Sequence, residues 1–112
     1  MHAGKGNMLR IYGVVLEVLK ALQPVLRRIE FRDKDLARQL RRCSSSVALN
    51  LAEGMYSRGH NRGARYHSAL GSAREALGCL EVAVVCGYVQ QNQQLHDRLD
   101  RVVGTLVKLV AK

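Results

Sequence analysis

The chain has 112 residues, 47% of them hydrophobic and 24% charged, which suits one folded domain and excludes both two independent cores and a disordered polymer. Aromatic residues are only 4%, with no Trp and one Phe, so helices packed through Leu, Val and Ala are favoured over a β-sandwich. Eighteen Lys and Arg against nine Asp and Glu give a net charge of +9, an excess that favours polyanionic partners such as RNA or DNA, or an acidic protein surface.

The charge is unevenly placed. Residues 1–65 carry thirteen bases and five acids, residues 66–112 five and four, so the basic surface belongs to the first two helices and the loop after them. Three cysteines, Cys43, Cys79 and Cys86, form no CxxC pair. They suggest neither a disulfide framework nor a zinc site, and fit small core or interface residues in a reducing cytoplasm. No apolar run approaches the roughly 20 residues that span a bilayer, and the start lacks a signal-peptide core. A soluble cytoplasmic protein, with no membrane partner, is expected.

After a flexible start over residues 1–7, Met8, Tyr12, Val15, Leu19, Leu22, Leu26 and Ile29 recur at spacings of four and three, the mark of a helix. A second set, Ile11, Val14, Val18 and Val25, widens the apolar surface and points to contacts beyond one bundle. Pro24 is expected to kink or break this helix.

Asp33 is placed to cap the second helix. Leu36, Leu40, Cys43, Val47 and Asn50 form its seam, which puts an amide where an apolar residue belongs. Lys34, Arg38, Arg41 and Arg42 share its opposite side. The glycine-rich GMYSRGHNRG, residues 54–63, is the clearest break. With Arg58, Arg62 and Arg65 it makes a basic entry to the third helix, where free amide groups favour phosphate.

In the third helix Tyr66, Leu70, Ala73, Leu77, Leu80 and Val84 keep the helical period. Ala69, Gly71, Ala76, Gly78 and Ala83 are small enough for close helix contact, within the molecule or with a partner. Gly87 and Tyr88 end it. Leu95, Leu99, Val102, Leu106 and Leu109 mark the fourth helix. Four long helices on short connections make an antiparallel up-and-down four-helix bundle, all-α, the economical architecture.

Two stretches carry a family resemblance. Ser46, Val47, Asn50, Leu51, Ala52, Glu53 and Gly54 resemble an S-[IV]-x-x-N-[IL]-A-E-G signature, preceded by the basic pair Arg41 and Arg42. Ala69 to Glu75, ALGSARE, resembles a second signature of the A-L-G-S-x-x-E type. Together they resemble the four-helix-bundle proteins encoded in intervening sequences of bacterial 23S ribosomal RNA genes. The resemblance implies a protomer assembled into a homopentamer. It also implies kinship with the accessory variability proteins of diversity-generating retroelements, basic pentamers that bind nucleic acid and a reverse transcriptase. Ala48 stands where members often have proline.

Chemistry follows from these placements. Ser46, Asn50 and Glu53 share a helix face and, with Ser72 and Glu75, are expected to form a polar cluster that locks the bundle's register. Ser44 to Ser46 lack a nearby histidine, and His2, His60, His67 and His96 are scattered, so neither a serine nucleophile nor a metal site is expected, and no cofactor. The sequence therefore favours a nonenzymatic oligomer that binds RNA or DNA through Arg38, Arg41, Arg42, Arg58, Arg62 and Arg65. The scarcity of aromatics argues against strong recognition of single-stranded bases. The alternative is a scaffold or adaptor for a partner protein such as a reverse transcriptase.

Overall fold

The computed structural model describes residues 2–111, with side chains from Met8 onward. Its described residues form four helices and no strand: α1 His2–Arg32, α2 Lys34–Met55, α3 His60–Val85 and α4 Gln93–Val110. Helical backbone thus reaches back through most of the segment expected to be flexible, since extending a formed helix costs far less than starting one. Met1 lies outside the described residues.

Each boundary has a local cause. Asp33 Oδ1 accepts the Leu36 amide at 2.9 Å and starts α2, and Asn92 Oδ1 accepts the Leu95 amide at 3.1 Å and starts α4, each satisfying an otherwise orphaned donor. At the end of α3, Gly87 adopts φ +77 while the amide of Tyr88 reaches Ala83 O and that of Gly87 reaches Val84 O. This paired closure needs a left-handed residue, which glycine supplies. Pro24 sits inside an unbroken α1 on its exposed side. The expected break is absent because tertiary packing of α1 on both sides of Pro24 outweighs one lost backbone bond.

The helices pack in a ring, α1 on α2, α2 on α3, α3 on α4 and α4 on α1, with the α2–α3 contact the most extensive. Pairs Gln39–Glu75, Ser46–Ser72 and Glu53–Arg65 climb α2 while descending α3, so these two helices run antiparallel. The body measures 45 × 23 × 21 Å, about the length of one long helix.

The core comprises two apolar clusters. One gathers Leu22, Leu26, Ile29, Leu40, Cys79 and Leu95, the other Met8, Val15, Val47, Leu51, Tyr66 and Val102. Both stripes of α1 contribute: Ile11 and Val18 are buried beside Met8, Val15 and Leu22. The second stripe therefore serves the protomer's own interior, because α1 lies between α2 and α4 and must face both. On α3 the fully buried positions include Ala69, Ala73, Ala76 and Ala83, and these small residues let α2 approach closely.

Gly54 belongs to this approach. It lies inside α2 and is buried, and a Cβ there would come within 2.8 Å of Tyr66 Cδ1. The helix does not stop at Gly54, as its place in the motif suggested; the glycine makes room for a buried ring.

Candidate nucleic-acid interface

The polar residues of the α2 motif form a short chain of hydrogen bonds. Asn50 Nδ2 donates to Ser46 O at 2.9 Å and to Ser46 Oγ at 3.0 Å, and Ser46 Oγ meets Ser72 Oγ at 2.8 Å across the α2–α3 contact. Asn50 is half-buried at the edge of the contact, not on the core seam; Leu51, fully buried, takes the inward position. The expected cluster is thus realised for Ser46, Asn50 and Ser72 only. Glu53 turns outward to pair with Arg65 at 2.8 Å, and Glu75 accepts from Gln39 Nε2 at 3.1 Å. Both carboxylates are exposed, where water solvates them at no burial cost.

Other motif side chains are absorbed internally. Ser44 is buried and its hydroxyl donates to Leu40 O at 2.7 Å, a back-bond within its own helix turn. Cys43 and Cys79 are buried and Cys86 is exposed, so of the three expected core or interface residues two lie in the core. Burial first, then the neighbouring Cys79 and Glu75, pushes the Cys43 thiol up to about 12, and burial raises Cys79 as well. Both are held as thiols rather than thiolates. Among the described residues, no group of three or more His, Cys, Asp or Glu is placed to hold a metal ion.

The six arginines assigned to the interface are all exposed, but they do not form one patch. Arg38 pairs with Asp35 at 3.5 Å and Arg41 with Glu30 at 3.4 Å. Arg42 lines a shallow groove with Arg38, Asp35, Ser46, Ser72 and Glu75, so two carboxylates temper the charge there. Arg58, Arg62 and Arg65 lie at the other end of α2, roughly 20 Å further along the helix axis. Arg62 Nε donates to Ser57 O at 3.0 Å. Gly59, at φ +58, turns the chain into α3. The arginines therefore divide into a mixed-charge groove on the α2–α3 face and a basic tip where the two helices join.

Two features were not legible in the sequence. Tyr56, 89% exposed, lies in the basic tip two residues before Arg58. Phe31, also 89% exposed, lies in the last turn of α1 beside Arg27, Arg28 and Arg32. Aromatics are few, yet these two are exposed and lie close to arginines in the chain. The alternation of arginine and aromatic was present in the sequence; their exposure depends on how α1 is rotated in the bundle.

The model of a family described as 23S rRNA-intervening sequence protein matches residues 9–108. No curated protein sequence matches the chain. Among solved structures, the fold is similar to a protein of unknown function from the S23 ribosomal protein family of Bacteroides thetaiotaomicron VPI-5482. The TM-score is 0.81 at 16% sequence identity, over 91% of this chain and 99% of that one. No helix among the described residues is long and apolar enough to cross a membrane.

Proposed function

The chain belongs to the 23S rRNA-intervening sequence protein family, and from that premise we propose that it is a nonenzymatic, self-associating protein that binds RNA or DNA through exposed arginines. The observation that carries this reading is the basic tip: Arg58 and Arg62 are exposed in the same connection as the exposed Tyr56, and neither is in an ion pair among the described residues. Arg42, on α2, is likewise in no ion pair among the described residues. Phosphate contacts of this kind release condensed counterions, so affinity falls steeply with salt.

Self-association, with the pentamer as the expected number, is supported by unpartnered surface on the protomer. Leu9, Leu16 and Leu49 are 57%, 45% and 64% exposed on the neighbouring helices α1 and α2. Gly71 and Gly78 lie inside α3 with open space where a side chain would be. Interior helical glycines each cost roughly 1 kcal/mol relative to alanine, and nothing in the protomer explains that cost.

The test is a titration of structured RNA and duplex DNA at low and raised salt, alongside the mass in solution. Salt-sensitive binding by an oligomer is expected. An intact oligomer that binds neither nucleic acid at low salt refutes the reading and leaves the adaptor role, with a reverse transcriptase as the partner class, in its place.

A further inference from the structure

The last turns of α1 hold a surface that the six expected arginines do not include. Arg27 and Arg28 precede Phe31 by four and three residues, so the three side chains share one side of the helix. Pro24, Arg32 and Tyr88 complete an open, shallow recess on the surface. Tyr88 forms its wall. The Arg32 guanidinium carbon stands 5.8 Å from the Tyr88 ring centroid, within cation–π range, and Tyr88 Oη donates to Asp33 Oδ2 at 3.3 Å.

The acids of this segment are occupied elsewhere. Glu30 pairs with Arg41, while Asp33 caps α2 and accepts from Tyr88. None of the residues lining the recess is acidic. Among the described residues Arg27, Arg28 and Arg32 have no ion-pair partner, whereas Arg38, Arg41 and Arg65 all do. An ordinary solvated helix face accounts for the arginines but not for the chain's one phenylalanine, 89% exposed in their midst. Three cations around a free aromatic face match one ligand chemistry: a base plane flanked by phosphates.

We propose that this recess binds an unpaired nucleotide of a single-stranded nucleic acid, with Phe31 stacking on the base and Arg27, Arg28 and Arg32 meeting the flanking phosphates. The site rests on the reading of the protein as a nucleic-acid binder but is separate from the basic tip. Phe31, in the last turn of α1, and Tyr56, just past the end of α2, are separated by α2, whose 22 residues span about 33 Å. A duplex keeps its bases stacked inside and offers phosphates alone, so Phe31 discriminates between the two forms.

The experiment compares wild type with Phe31→Ala and Phe31→Tyr on three probes: a short oligouridylate, the matching oligothymidylate and a mixed-sequence duplex. Phe31→Ala is expected to weaken the single strands about tenfold, leave the duplex unchanged, and be rescued by Phe31→Tyr. Because the chain has no Trp, Phe31→Trp adds one indole, whose fluorescence should be quenched by the single strands and not by the duplex.

Equal binding of single strands by wild type and Phe31→Ala, while Arg58→Ala with Arg62→Ala weakens every probe, overturns the recess and spares the general reading. Failure of wild type to bind any probe overturns both. A change of oligomer mass in Phe31→Ala assigns the ring to a contact between copies and also overturns the proposal.

Discussion

The α2–α3 face and the end of α1 both carry arginines, but the bundle treats them differently. On α2 and α3, Arg38, Arg41 and Arg65 are each answered by a carboxylate, and Ser46, Asn50 and Ser72 spend their hydrogen bonds on one another. At the end of α1, Arg27, Arg28 and Arg32 surround an exposed ring with no acid lining the recess. Similar residue types are thus neutralised by nearby carboxylates in one place and left facing solvent in the other. Local charge density does not mark a binding surface unless the neighbouring acids are placed as well.

The sharpest way to break this contrast is at the close approach of α2 and α3. Gly54→Ala pushes a methyl group into the buried Tyr66 ring and should destabilise by about 1–3 kcal/mol, as overpacking does. A thermal melt should show it as a drop of several degrees, while binding by the folded protein stays as in wild type. Lost binding with an unchanged melt would make the seam a ligand site.

Ser72→Ala removes one partner of the Ser46 hydroxyl. Asn50 still satisfies Ser46 in part, so a loss of about 1 kcal/mol is expected, read by urea denaturation. Arg65→Ala breaks an ion pair whose side chains are 47% and 56% exposed. Solvent screening holds its effect below about 1 kcal/mol, and raised salt should shrink it further.

The cysteines sharpen the same division between interior and surface. In the folded state Cys43 ionises only at about 12, against 9.0 for the free side chain. Its contribution to stability is therefore complete below pH 9 and is lost as pH rises from 9 toward 12. A thiol reagent near neutral pH should modify the exposed Cys86 in native protein and reach Cys43 and Cys79 only on unfolding. Equal native reactivity of all three would contradict the packing of α2 against α3.

Much of the fold was legible because its signals are local. The heptad-like spacing located four helices, Asp33 announced its cap, and Gly87 with Tyr88 announced the end of α3. What escaped depends on rotation and on partners distant in sequence. Asn50 fits a seam drawn at alternating spacings of four and three, yet α2 is turned so that Leu51 points inward. Gly54 resembles a stop signal until Tyr66, twelve residues later, is seen to need its space. Grouping the arginines by sequence merged a mixed-charge groove with a basic tip, and it passed over Arg27, Arg28 and Arg32, whose significance rests on the exposure of Phe31.

The account's central claim is that unpaired surface arginines, not the polar seam, engage nucleic acid. Its most direct test is the salt dependence of oligouridylate binding by wild type and by the triple variant Arg27→Ala, Arg28→Ala, Arg32→Ala, with Ser72→Ala as the structural control. The triple variant should bind more weakly and lose about 0.7 in logarithmic salt slope for each single-strand phosphate contact removed, while Ser72→Ala keeps the wild-type slope. A triple variant with wild-type affinity and slope would contradict the recess, and the account as a whole if Arg58→Ala with Arg62→Ala also leaves binding unchanged; a Ser72→Ala protein that folds but no longer binds would contradict it too.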